Sequence, residues 1–422
     1  MARTKRSLSY IQMDKDRCTG CVLCMKACPT KAIRVRGGKA TRTEDKCIDC
    51  GECIRVCPKG AISAMTTWSG KPELSPHKVI GVSPVLYTQF GNEVMPNDIL
   101  LALRKTFDYV YDQAYAHELY SAATELYIKG NRGKEDAVWP LISPVCPVVN
   151  RLIALRFPSL LKHLLPFVPP REIAAREVRK RFKQKRIFGD DDFSVYYVTP
   201  CSAKMISIKE PMFTETSYLE GALGINDVYE LVVKHLREED EDIMLHVSSG
   251  AGIGWGMSGG EIASLDDGSY LAVSGIQETI RYLEKIEMGL FKGIEYFEFR
   301  ACLEGCIGGP LTVADKYQAK RILQKFGRMF GQGKRVRRAQ ALKAYKEGWF
   351  FGETREVRKE KDEKPLSIAE AIARQDRIES ILRNLPGKEC GQCGSPDCRT
   401  FAEDVADGKV NAESCFMLHP RS

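Results

Sequence analysis

The chain has 422 residues, 44% of them hydrophobic, enough to bury a large core and to form two to four domains. Its formal charge of +8 invites a nucleic-acid reading, yet the basic stretches Arg179–Arg186 and Lys334–Arg338 carry no base-reading features and read as solvated helix faces or linker. The N-terminus MARTKRSLSY lacks the apolar stretch of a secretory signal, and no uncharged apolar run approaches the ~18 residues of a membrane span; Leu141–Val168 is broken by Arg151, Arg156 and Lys162.

In chain order, residues 1–66 form a pseudo-repeat. Cys18-Cys21-Cys24-Cys28 and Cys47-Cys50-Cys53-Cys57 share one spacing at a period of 29 residues, and each run ends in proline, Pro29 or Pro58. In such runs three cysteines wrap one 4Fe–4S cluster and the fourth ligates the other. Cys18, Cys21, Cys24 and Cys57 are therefore expected at one cluster, and Cys47, Cys50, Cys53 and Cys28 at its neighbour, in a bacterial ferredoxin-like electron-transfer domain. Four-cysteine zinc sites are the alternative. Trp68–Pro76 reads as a linker.

Residues 77–345 are mixed α/β. HKVIGVSPVL, DFSVYYVTP and GIEYFEFRAC read as buried strands feeding loops that carry proline or cysteine. Helical periods cover Asn97–Thr106, Ala114–Lys129 and Asp227–Leu236. Such strand ends are where ligands collect in open α/β sheets. Residues 331–364 alternate in charge sign and predict a helix plus an exposed connector, taken as 346–365. Ser367-x-x-Glu370 is a capping box for a helix through Arg383, which Pro386 and Gly387 end.

The C-terminal domain, 366–422, holds Cys390, Cys393, Cys398 and Cys415. This set resembles the small iron–sulfur domain of corrinoid iron–sulfur proteins, redox-driven ion pumps and sensory hydrogenases; structural zinc is again the alternative. Every one of the sixteen cysteines falls in a set of four, and the last set, Cys146, Cys201, Cys302 and Cys306, is dispersed. This usage points to thiolate ligands in a reducing cytoplasm, and hints at an anaerobe. Four 4Fe–4S sites at about −2 each would contribute roughly −8, bringing the loaded protein near neutral.

The dispersed set lies in Ser143-Pro-Val-Cys146-Pro147, Thr199-Pro-Cys201-Ser-Ala-Lys204 and Arg300-Ala-Cys302-Leu-Glu-Gly-Cys306. These loops, in order and correctly spaced, resemble the FeFe-hydrogenase motifs TSCCP, MPCxxK and MACxxGC. Val82-Ser-Pro-Val-Leu and Trp255-Gly-Met-Ser-Gly-Gly260 add to a likeness spanning about residues 78–330. The resemblance implies an H-cluster: a 4Fe–4S part held by Cys146, Cys201, Cys302 and Cys306, joined through Cys306 to a diiron subsite with carbon monoxide, cyanide and dithiolate ligands. Three accessory 4Fe–4S clusters accompany it. Lys204 is implied to hydrogen-bond an iron-bound cyanide.

The chain departs from that pattern where the family's proton-carrying cysteine is Val145, which has no ionisable group. Position 300 is Arg rather than Met, the tail after Cys306 shortens to Ile-Gly-Gly-Pro310, and Glu261 follows the Gly-Gly pair. Glu298 and Glu261 are candidate substitute relays. An ion pair with Arg300 is the plainer reading for Glu298, and a helix N-terminal charge for Glu261.

With Val145 and the C-terminal domain, the chain resembles the sensory branch of the family. The implied activity is slow, reversible H2 oxidation and proton reduction used for H2 or redox sensing. A metabolic, ferredoxin-linked hydrogenase and a non-catalytic iron–sulfur scaffold are the alternatives. Implied partners are a ferredoxin or other redox protein, hydrogenase maturation proteins, a signalling partner and a second copy of the chain, with no nucleic acid and no membrane.

Overall fold

The computed structural model describes residues 9–68, 76–189, 192–236, 243–266, 268–352 and 367–418. The expected linker is described only at its ends, Trp68 and Pro76, and the connector lies outside the described residues from position 353 on. Two compact units result: Met1–Ala64 with Arg358–Ser422, and Met65–Val357.

In the first unit, β1 (Ile11–Met13) pairs antiparallel with β4 (Ile62–Ala64), and β2 (Ile33–Arg36) with β3 (Lys39–Arg42). Short helices, Leu23–Ala27 and Glu52–Arg55, repeat the duplicated sequence in space. The small apolar core mixes Ile11, Met25, Ile33 and Ile62 with Cys24 and Cys53. The C-terminal segment belongs to this same unit. Its helix Ile368–Arg383 starts at the expected capping box, with Ser367 and Glu370 bonding reciprocally, and its partner helix is Cys398–Ala406.

The second unit is built on two parallel sheets, with strands β5 (His77–Val82), β6 (Tyr109–Asp112), β7 (Leu141–Ile142), β8 (Phe193–Thr199), β9 (Gly221–Gly224), β10 (Tyr270–Ser274) and β11 (Tyr296–Arg300). One sheet has order β6-β5-β8-β9 and the other β10-β11-β7. Every pair in both is parallel. Strand β8 is buried along its whole length, and its β-branched and aromatic run suits a central strand covered on both faces.

The helices Pro96–Arg104, Ile225–His235 and Lys316–Phe330 close a core containing Ile80, Val198, Leu100, Val228 and Phe326. Each such side chain, fully buried, contributes about 1.5–3 kcal/mol. This core holds the β5 and β8 strand ends in place. The three helices expected from sequence are present within two residues, the three expected strands are present but shorter than their apolar runs by up to five residues, and a helix lies at Arg338–Lys346 in the charged stretch. Among the described residues no helix is long and apolar enough to cross a membrane.

Candidate active site and metal centres

All four dispersed cysteines leave the C-terminal ends of parallel strands. Cys146 follows β7 and caps the helix Pro147–Arg156, with proline at its first position. Cys201 follows β8 and precedes the helix Ala203–Lys209. Cys302 and Cys306 follow β11. Helix N-termini favour thiolate over thiol, which suits Cys146 as a metal ligand.

Two loops interlock, because Leu311 N–H donates to Pro200 C=O at 3.0 Å. Gly305, at φ +93°, lies where a Cβ would come 2.4 Å from Ser258 N, so the turn into Cys306 admits only glycine. The structure thus brings Cys201 within electrostatic reach of Cys302, Cys146 and Cys306. Burial pushes the Cys146 and Cys201 thiols up.

A cavity beside Cys306 is lined by Val145, Lys204, Tyr197, Arg171, Arg300 and His117, with Gln113, Trp255 and Pro84 among its other walls. Lys204 is buried, and its Nζ donates to Tyr197 Oη at 3.4 Å. Burial pulls its pKa down, but Tyr197, Cys306 and Cys201 lift it above the ordinary lysine value, so the ammonium stays charged. His117 is neutral: burial pushes its pKa down to about 4, with Lys204 and Arg300 adding to the effect. Its Nδ1 donates to Gly252 C=O at 3.1 Å, and its ring stacks on Trp255 at 4.8 Å.

Glu298 and Glu261 do not line this cavity. Glu298 accepts hydrogen bonds from the backbone N–H groups of Gly259, Glu261 and Ile262 at 3.1–3.2 Å and faces Arg300 Nε at 3.4 Å. The ion-pair reading of Glu298 is the geometry observed. Burial raises its pKa to about 7, against the pull of Arg300. The Glu261 carboxylate does not cap the turn that starts at Ile262. Instead it accepts from Ser143 Oγ at 3.0 Å, Tyr296 Oη at 2.6 Å and Arg300 Nη2 at 2.8 Å.

Sequence reasoning treated Arg300 as a departure from a pattern and passed over Arg171, Tyr197 and His117. Only the Arg300-Ala-Cys302 proximity signalled one of them, since the others meet the site through tertiary folding.

In the first unit, Cys18, Cys21, Cys24 and Cys57 line one apolar cavity with Val22, Val35 and Ile62. Cys50 lies within electrostatic reach of Cys28 and Cys53, and Cys53 of Cys47, Cys28 and, in the adjoining quartet, Cys24. Burial raises Cys24 to about 11 and pushes Cys47, Cys50 and Cys53 up as well. Backbone N–H groups of Ala32 and Ala61 point at Cys28 and Cys57 sulfur, both at 3.2 Å, and that of Ala40 at Cys18 sulfur at 3.4 Å. Cys390, Cys393, Cys398 and Cys415 surround a further cavity with Leu385, Pro386 and Phe401.

The residues present fit iron–sulfur groups. Burial raises the thiols of Cys24, Cys53, Cys146 and Cys201, which a metal's charge would offset on binding. At the central cavity, Arg300 Nη1, Arg171 Nε and Gln113 Oε1 are buried without a hydrogen-bond partner in this structure, which suits an anionic occupant with acceptor and donor atoms.

Comparison with known proteins agrees with this geometry. Residues 77–270 match the family described as iron only hydrogenase large subunit, C-terminal domain. Residues 10–58 match a 4Fe-4S dicluster domain, and 385–416 a family described as an Fe-S cluster. A 35-residue stretch is 49% identical to the corrinoid/iron-sulfur protein large subunit of Moorella thermoacetica, covering 8% of this chain and only 8% of that protein.

Among solved structures, the [FeFe]-hydrogenase HydA(deltaEFG), described for stepwise H-cluster assembly, superposes with TM-score 0.52 at 13% identity over 68% of this chain and 96% of that one. An [FeFe]-hydrogenase studied for oxygen inactivation gives 0.51 at 14% identity, over 66% and 92%. At this identity the likeness shows the fold. Motif spacing, the family match over residues 77–270 and the fold agree that this part of the chain is similar to the FeFe-hydrogenases.

Proposed function

We propose that this protein binds an H-cluster and interconverts H2 with protons and electrons slowly, in the service of H2 or redox sensing. The observation that carries the reading is the cavity beside Cys306, with a charged Lys204 on one wall and the apolar Val145 on another. Cys146, Cys201, Cys302 and Cys306 would hold the 4Fe–4S part, and Cys306 would bridge to the diiron part. When bound, that group supplies the redox chemistry and the site at which H2 is split or formed.

The chain's own residues bind and orient. The ammonium of Lys204 offers charge-assisted hydrogen bonds in a dry pocket, worth roughly twice a neutral one. Val145, Pro84 and Trp255 exclude water. No side chain at position 145 takes or gives a proton, and neutral His117 has its Nδ1 proton committed to Gly252 C=O, so proton supply is the restricted step. Glu298 and Glu261 stand behind Arg300, which weakens the metabolic reading in which either relays protons.

Three further cysteine quartets supply an electron reservoir. A redox protein and the maturation proteins follow as partners, and a signalling partner belongs to the sensing reading. Infrared spectra of the protein matured with the diiron precursor test the proposal. Bands of iron-bound carbon monoxide and cyanide are expected; their complete absence from protein with full 4Fe–4S content would reduce the chain to an iron–sulfur scaffold. Viologen-linked turnover then separates sensing from metabolism, since a rate typical of fast hydrogenases contradicts the slow reading.

A further inference from the structure

Arg300 ends strand β11, two residues before Cys302, and is 1% exposed. Its guanidinium is fixed from behind. Nη2 donates to Glu261 at 2.8 Å, and Nε faces Glu298 at 3.4 Å. Those carboxylates are themselves held, Glu261 by Ser143 and Tyr296, and Glu298 by the backbone N–H groups of Gly259, Glu261 and Ile262. The two acids keep the guanidinium charged despite burial.

The remaining edge of the fork is different. Nη1 is buried with no hydrogen-bond partner in this structure, and the residue lines the cavity shared by Cys306, Val145 and Lys204. A buried charged donor left open in this way carries its full desolvation penalty uncompensated, so an acceptor is expected opposite it. Cys306 and Cys146 are close enough to contribute to its electrostatic field.

We propose that Arg300 is a further binding residue of this site: a second fixed cation, besides Lys204, whose Nη1–H donates to an anionic ligand of the group held at Cys306. Its charge also offsets thiolate charge on the Cys146 and Cys306 side of the 4Fe–4S part. A thioether at this position could do neither, because it has no donor and no charge. The arrangement rests on the H-cluster reading above. It implies a more electron-poor centre than Lys204 alone would give.

Two measurements on the full chain test it, with Arg300→Met and Arg300→Lys beside the wild type, at equal iron content and matching circular dichroism. Before diiron loading, an EPR-monitored titration reads the potential of the central 4Fe–4S part. A shift to more negative potential is expected in Arg300→Met and little shift in Arg300→Lys, which keeps the charge. After maturation, the cyanide and carbon monoxide bands should move in both variants, because lysine lacks the second arm of the fork.

Unchanged potential and unchanged bands in Arg300→Met overturn the proposal. Bands missing from the wild type as well overturn the H-cluster reading and the donated hydrogen bond with it; the potential before loading then still decides the charge role. Arg300→Lys retains the ion pairs with Glu261 and Glu298, so it reports even if the methionine variant does not fold.

Discussion

Val145 and His117 share a cavity and differ in how they limit protons. At position 145 a thiol would line the cavity that Cys306 and Lys204 also line. Positioned acid–base groups contribute on the order of 10²–10⁴ in rate, so Val145→Cys should raise H2 turnover at least about tenfold. A matured variant with intact infrared bands and an unchanged rate would mean that proton supply is not what limits this site.

His117 makes a stability prediction. Its folded pKa, about 4, lies below the ordinary 6.5, so the unfolded chain binds more protons between those values. Stability from this group is fully present above pH 6.5 and falls as pH drops toward 4, by on the order of 3 kcal/mol across that window. In His117→Gln the acid slope of the denaturation midpoint should flatten; an unaltered slope would show that His117 is not the group responsible.

The N- and C-terminal cysteine sets were legible as groups from their local spacing, and the dispersed four with Lys204 from the three loop motifs. The part played by Arg300 was not, since it depends on Glu261, 39 residues away, folding onto the end of β11. As a candidate relay Glu298 would need to face the cavity, but the turn at 259–262 offers it three backbone donors and claims the carboxylate.

At the scale of elements, the site is a meeting of strand ends. β5, β8 and β11 were readable from runs of β-branched and aromatic residues. β7 is two residues long and exists through its parallel pairing with β11, Leu141 with Tyr296 and Ile142 with Phe297, so no local propensity announces it. Yet β7 delivers Cys146. The loop leaving β11 is the most constrained of the four, because Gly305 holds a left-handed φ against Ser258 N. Gly305→Ala must either move the 257–258 backbone or displace Cys306. Reconstituted protein should then lose about one 4Fe–4S equivalent in iron and sulfide analysis, while the clusters of the first unit persist. Full iron content in this variant would show that the loop tolerates a side chain and that the glycine is not structurally required.

On the scale of the whole molecule, the first unit is discontinuous in sequence and holds three of the four cysteine quartets. Nothing in cysteine spacing shows that the last 50 or so residues fold back onto the first 64. The chemistry of the contact explains it. Asp404 is 5% exposed and accepts from Arg34 Nε at 2.5 Å, Arg36 Nη2 at 3.0 Å and Ser395 Oγ at 2.8 Å. Arg36 Nη1 donates to Cys393 C=O at 2.5 Å, and Val35 N–H to Gly394 C=O at 3.0 Å.

Val35 also lines the cavity of Cys18, Cys21, Cys24 and Cys57, and its bond to Gly394 joins it to the residue after Cys393 of the C-terminal quartet. Gly394, at φ +77°, permits the approach, because a Cβ there would fall 1.7 Å from Val35 O. If both quartets hold clusters as proposed, this contact is the route between them, and Asp404 holds it together. Removing one member of a buried ion pair costs about 3–5 kcal/mol, whereas an exposed pair is worth under about 1 kcal/mol. Asp404→Ala should thus raise hydrogen exchange at the Val35 amide by about 100-fold or more, and weaken any magnetic coupling between the two reduced clusters. Asp407→Ala, which loses only the exposed pairs with Arg374 and Lys409, should change exchange by less than about fivefold. Equal effects in the two variants would mean that the C-terminal segment is held by its apolar contacts and not by the Asp404 ion pairs.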